Sequence, residues 1–202
     1  MTKITGYFEA GYSKRQWYTK TYDGIEALFG EDTELFIKIL AATSPVQSVT
    51  GNLTCALRAL EIMRKGDVNT RYPFANVEDS LQANFMKSHS DNLIRVYHGE
   101  EIHGPKVLAF QRALLGDWDQ IVIDRWMLRA YGYVATGHVT IAIKEHIERS
   151  IRRRVTRWNN HNLEQITASE CQAAIWFGVK SELDTKPGRD NRPFEVQLGE
   201  LL

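Results

Sequence analysis

Cysteine is scarce in this 202-residue chain, with Cys55 and Cys171 its only two. Two cysteines far apart cannot build a disulfide framework, a zinc knuckle or a four-cysteine iron–sulfur cluster. Net charge is missing as well: 25 Lys and Arg balance 25 Asp and Glu. That excludes a protein held on nucleic acid by overall charge and leaves only a local basic patch. No apolar run approaches the roughly 20 residues of a membrane span. The N-terminal "MTKITGYFEAGYSKR" has no apolar signal core, so a cytoplasmic protein is expected, most simply bacterial or viral. Internal repeats and low-complexity blocks are absent.

What is present is helical periodicity. The chain is 43% hydrophobic and 25% charged, ordinary values for a globular domain. Helices are predicted over 13–30, 32–44, 48–66, 90–99, 104–116, 124–132, 140–158 and 167–182. Leu35, Phe36, Ile39 and Leu40 share one face of the second segment. Ile143, Ile147, Ile151 and Val155 repeat every four residues in the seventh. Gly30, Gly66, Gly99 and Gly116 are the stops, Asp124 a good N-cap, and Thr167 with Glu170 a capping box. The stretch 67–80, with Pro73, reads as a loop. The tail 184–202 reads as irregular with room for a short strand. "QIVI" (120–123) has strand composition, but four residues make no sheet. The expectation is one all-α domain of eight to ten helices.

Lys106 is the oddity. It follows Gly104-Pro105 in the first turn of a predicted helix, where the backbone dipole disfavours a cation by about 0.3–1 kcal/mol. The two short helices around "EEIH" make a tight hairpin whose second helix points its first N–H groups outward, ready for a phosphate. Eighteen residues on, Asp124 stands between an apolar run and the next helix. A solvated first-turn lysine and a plain N-cap are the alternative readings of these two residues.

The hairpin "EEIHGPK", an apolar helix and then "VIDRW" together resemble the helix–hairpin–helix DNA glycosylase superfamily. That family's pattern is Leu-Pro-Gly-x-Gly-x-Lys followed by Val-Asp-x-His. The final glycine (Gly104), Lys106 and Asp124 match. Ile102 stands at the first glycine, and the Leu-Pro-Gly half and the histidine do not match. Upstream, "LFIKILAATSPVQSVTGN" resembles the family's early helix and the turn after it. Downstream, "CQAAIWFG" resembles the "QAVLF" stretch of the 8-oxoguanine branch. The similarity spans roughly residues 32 to 182 of a single domain over 1–202. The whole chain also resembles a group of small phage-associated proteins.

This resemblance implies two helical lobes with a cleft between them, acting on double-stranded DNA as a monomer and without a cofactor or metal. It implies that a base is extruded into a pocket and that an amine attacks the anomeric carbon. The resulting Schiff base permits strand cleavage. Lys106 is the implied nucleophile. A helix N-terminus and desolvation push a lysine toward the neutral form it needs, whereas a nearby Asp124 opposes this. Asp124 is the implied proton acceptor and electrostatic partner. Gln172, Trp176 and Phe110 are the implied base contacts. Ile102, His103 and Gly104 in the hairpin, with Pro45 and Gln47 in the upstream turn, are the implied DNA contacts.

The run "RSIRRRVTRW" places Arg149, Arg152, Arg153, Arg154 and Arg157 in the strongest basic cluster. It is a solvated helix face or a phosphate-binding one, with Arg152 and Arg153 taken as the contacts. Six histidines show no metal-ligand spacing. The N-terminal aromatics Tyr7, Phe8, Tyr12, Trp17, Tyr18 and Tyr22 are expected in the core. Two other functions fit the same residues. One is excision or alteration of hypermodified bases in phage DNA. The other is a DNA- or protein-binding module without chemistry.

Overall fold

The computed structural model of the chain describes residues 3–65, 76–134, 139–184 and 194–201. It is all-α, with no strand among the described residues. Eleven α-helices follow in order: α1 (Lys3–Gly11), α2 (Trp17–Phe29), α3 (Thr33–Thr43), α4 (Val49–Lys65), α5 (Val77–Asn84), α6 (Lys87–Tyr97), α7 (Pro105–Leu114), α8 (Arg125–Ala130), α9 (Ile141–His161), α10 (Ala168–Leu183) and α11 (Phe194–Leu201). The chain divides into two compact units. One comprises 1–20 and 112–187, and the other 21–111 and 188–202.

Local chemistry sets most of the boundaries. Gly99, Gly116 and Gly132 adopt φ of 73°, 93° and 77°, the left-handed region that favours glycine. Each closes a Schellman motif, with Glu100 N–H donating to the Arg95 carbonyl, Asp117 to Arg112 and Tyr133 to Leu128. At the other ends, Asp124 caps α8 and Thr140 caps α9. Thr167 and Glu170 form the expected capping box on α10.

The first unit packs α1, α8, α9 and α10 around Tyr7, Phe8, Met127, Ile147, Ile151 and Ile175. The α1–α10 crossing is its tightest joint. A Cβ added at Gly178 would overlap the Tyr7 carbonyl, and one added at Gly11 would overlap the Ala174 carbonyl. The two backbones therefore touch, which only glycine at both positions allows. The predicted aromatic cluster is seated here in part: Tyr7, Phe8 and Tyr18 are buried, while Tyr12 and Trp17 are half-buried.

The second unit packs α3, α4, α5, α6 and α11, with Phe36, Ile39, Leu53, Ile62, Leu81 and Leu93 fully enclosed. Three sequence expectations need correction. The predicted helix 13–30 is a 3-10 turn at Tyr12–Lys14 followed by α2, and α1 precedes it. The predicted loop 67–80 ends in α5, capped by the Asn76 side chain, while 66–75, with Pro73, lie outside the described residues. "QIVI" makes no sheet, as expected, and Ile121, Val122 and Ile123 are buried. While 185–193 lie outside the described residues, the described part of the tail, 194–201, is helical rather than irregular. It carries α11, docked through Leu198 and by Thr50 Oγ1 donating to Gln197 Oε1 at 2.6 Å. Tertiary packing overrides the weak local propensity there.

Candidate active site

Lys106 belongs to the second unit. The α6–α7 turn before it is rigidly bracketed. Asn92 Nδ2 donates to the His103 carbonyl at 3.0 Å, and the His103 N–H donates back to Asn92 Oδ1 at 2.7 Å. Arg95 holds the turn from outside through Glu100 and the His103 ring. Ile102 is 1% exposed, so its side chain belongs to the core and leaves only its backbone to meet a ligand. Gly104 takes φ 112° and His103 is exposed.

The half-buried Lys106 amine reaches the C-terminal end of α3. It donates to the Ser44 carbonyl at 3.3 Å and lies 3.5 Å from Ser44 Oγ. This resolves the electrostatic oddity, because the cation placed at the positive end of α7 lies at the negative end of α3. The loose carbonyls there are served from three helices. Asn52 Nδ2 of α4 donates to Leu40. His89 Nε2 of α6 lies 2.9 Å from the Pro45 carbonyl. Lys106 of α7 takes Ser44. Burial is the main cause holding the His89 imidazole below its ordinary range. The Pro45 contact opposes this, and the Lys106 charge adds to it.

The turn so anchored ends in a residue that sequence reasoning passed over. Val46 has φ 65° and is 78% exposed, the only non-glycine described with positive φ. A β-branched residue in this region costs on the order of 1–3 kcal/mol and persists only where its surroundings enforce it. No pattern in "SPVQS" announces it. Pro45 and Gln47 flank it and are both half-buried, and Gln47 Oε1 leans over Gly51. Phe110, on α7, is also half-buried.

Asp124 belongs to the first unit, and both of its carboxylate oxygens are engaged. Oδ1 accepts the Trp126 and Met127 N–H groups at 2.9 and 3.0 Å. Oδ2 accepts the Trp176 indole N–H at 2.8 Å. Lys180, 9% exposed, sits 4.7 Å above the Trp176 ring. Gln172 is 2% exposed and accepts the Tyr18 hydroxyl at 2.7 Å. Burial, with the Asp124 charge second, holds the Tyr18 phenol well above its usual range and keeps it a donor. The sequence-derived cluster Asp124–Gln172–Trp176 is therefore gathered within one unit. There Trp176 acts as a hydrogen-bond donor to the carboxylate, and Gln172 as the buried partner of Tyr18. Lys180 is the member that the motifs did not reveal, since a lysine near a helix C-terminus gives no signal of its own.

Arg152 and Arg153 lie exposed on α9, and Arg152 is ion-paired with Asp119. Among the described residues no group of three or more His, Cys, Asp or Glu is placed to hold a metal ion, and no helix is long and apolar enough to cross a membrane. Compared with known proteins, the chain matches no family model, no curated sequence and no solved structure.

Proposed function

We propose that the protein is a DNA glycosylase with lyase activity, which excises an extruded base through a lysine Schiff base. The observation that carries this reading is the placement of the Lys106 amine. It is half-buried at the foot of an exposed, strained apolar turn, two residues beyond a bracketed helical hairpin. In this reading the hairpin backbone meets a phosphate through the first N–H groups of α7. Val46 fills the space the base vacates, as apolar wedges do between base steps. The neutral Lys106 amine attacks C1′, and the C1′–N bond breaks with its electron pair leaving on the base. Ring opening then gives the Schiff base, and loss of a C2′ proton expels the 3′ phosphate. Asp124 is fixed by two backbone N–H groups and an indole, so its carboxylate is pre-organised to meet positive charge.

One observation favours a second reading, a nucleic-acid-binding module without chemistry. The Lys106 contacts also explain it as a brace for the end of α3. Borohydride trapping on duplexes carrying oxidised, abasic or hypermodified phage bases separates the two. Lys106→Arg keeps the brace and loses the Schiff base. It should fold like wild type, give no trapped adduct and slow base release at least about 100-fold. Val46→Gly should still trap a pre-formed abasic site but release base poorly from a fully paired duplex. An adduct formed by Lys106→Arg, or none formed by wild type on any of these DNAs, overturns the base-excision reading.

A further inference from the structure

The arginines of α9 divide by what they touch. Arg154 turns inward, donating to Thr5 Oγ1 at 2.9 Å and covering the Phe8 ring at 5.4 Å. Arg152 is tied to Asp119 through both its carboxylate and its carbonyl. Arg149, Arg153 and Arg157 are exposed, and their side chains have no hydrogen-bond or ion-pair partner among the described residues. They recur every four residues, so they form one stripe with a rise of about 6 Å per step. Like charges at this spacing each cost a helix about 0.2–0.5 kcal/mol. The stripe is thus a row of cations without ion-pair partners among the described residues, in a chain of zero net charge.

The surroundings of the stripe narrow what could neutralise it. The opposite face of α9 is spent on packing, through Ile147, Ile151, Val155 and Trp158. The open groove along the stripe is lined only by polar and charged side chains. A bilayer would find nothing apolar there to bury. Glu145 and Glu148 lie at its N-terminal end, so the positive field is confined to the C-terminal part. There Thr156 and Asn160 add neutral hydrogen-bonding groups beside the guanidiniums. Guanidiniums stepped along one line suit successive phosphodiesters of one strand, each able to take two N–H donors.

We propose that the Arg149–Arg153–Arg157 stripe binds the phosphodiester backbone of nucleic acid without reading its sequence. The proposal does not depend on base excision, because it asks nothing of Lys106. Fluorescence anisotropy with undamaged duplex and single-stranded oligonucleotides, at stepped salt concentrations, tests it. Replacing all three arginines with Gln should weaken binding at least about tenfold at 0.1 M salt. It should also lower the slope of log K against log salt by about 2–3. Lys87→Gln, whose ammonium already has the Asp91 carboxylate, should leave the slope unchanged. The preference between the duplex and single-stranded arms identifies which form the stripe grips. Circular dichroism should show native helix content in the triple variant, since it removes repulsion and no packing. The Arg153→Glu variant gives a second reading, with a larger loss than Arg153→Gln. The proposal is overturned if the folded triple variant keeps the wild-type affinity and slope. It is overturned equally if the variants lose binding only to anionic phospholipid vesicles. Retention of the trapped adduct in Lys106→Arg, with this salt slope intact, would sink the base-excision reading alone.

Discussion

His89 sits 1% exposed in the second unit, with Nε2 aimed at the Pro45 carbonyl. The neutral ring donates that hydrogen bond when its proton is on Nε2. Burial, and secondarily the Lys106 charge, push the folded imidazole below its ordinary value of 6.5. The sign follows from proton counting. Below about pH 6.5 the unfolded chain takes up a proton that the folded ring refuses, so stability is present above that pH and lost as the pH falls. Urea midpoints measured between pH 7 and pH 5 should therefore decline. A His89→Gln variant, which keeps a donor and cannot titrate, should flatten the His89 part of the decline. His89→Ala should cost about 1–3 kcal/mol at pH 7, the penalty for a buried carbonyl left without a donor. A pH dependence identical in wild type and His89→Gln would remove His89 from the account.

At the scale of the element, the α1–α10 crossing is the joint that tolerates least. The Tyr7 carbonyl occupies the space a Gly178 side chain would need, and backbone cannot step aside as a flexible side chain can. Gly178→Ala should cost about 3–5 kcal/mol by forcing the helices apart, read as a drop in denaturant midpoint. Gly6→Ala, next to Tyr7 on α1 but with open space at its Cβ, should be neutral or slightly stabilising. If the two substitutions shift the midpoint equally, the close crossing is not what holds the first unit. Helix α10 was legible in the sequence from its capping box, and α3 and α9 from their apolar spacing. The crossing was not, since a glycine inside "WFGVK" looks like a propensity defect until its partner helix is placed. Nor was α11, where the docking of Leu198 outweighs a glycine at position 199. Within the site, Asp124 as an N-cap could be read directly from "VIDRW". The attachment of Lys106 to Ser44 could not, because the two lie far apart in the chain and no local pattern encodes their meeting.

The chain as a whole carries its two thiols one to each compact unit, Cys55 in the second and Cys171 in the first. Their environments differ in a way that makes each a reporter of its own surroundings. Cys171 is fully enclosed in the α1–α8–α9–α10 core, and burial drives its thiol up to about 12. Almost none of it is thiolate at neutral pH, and no reagent reaches it in the folded state. It can react only when the first unit opens, so its labelling rate is governed by the free energy of that opening. Cys55, half-buried on α4, is raised from 9.0 by burial but keeps exposed surface, so it should label slowly from the native state. Iodoacetamide labelling at pH 8, followed by mass spectrometry, should thus modify Cys55 first and spare Cys171. In Gly178→Ala the Cys171 rate should rise at least about 100-fold, in proportion to the stability lost at the crossing, while the Cys55 rate stays within about twofold. Labelling of both thiols at one rate in the wild type would show that Cys171 is not sealed by this core. Equal acceleration of both in the variant would show instead that the two units open as a single cooperative whole.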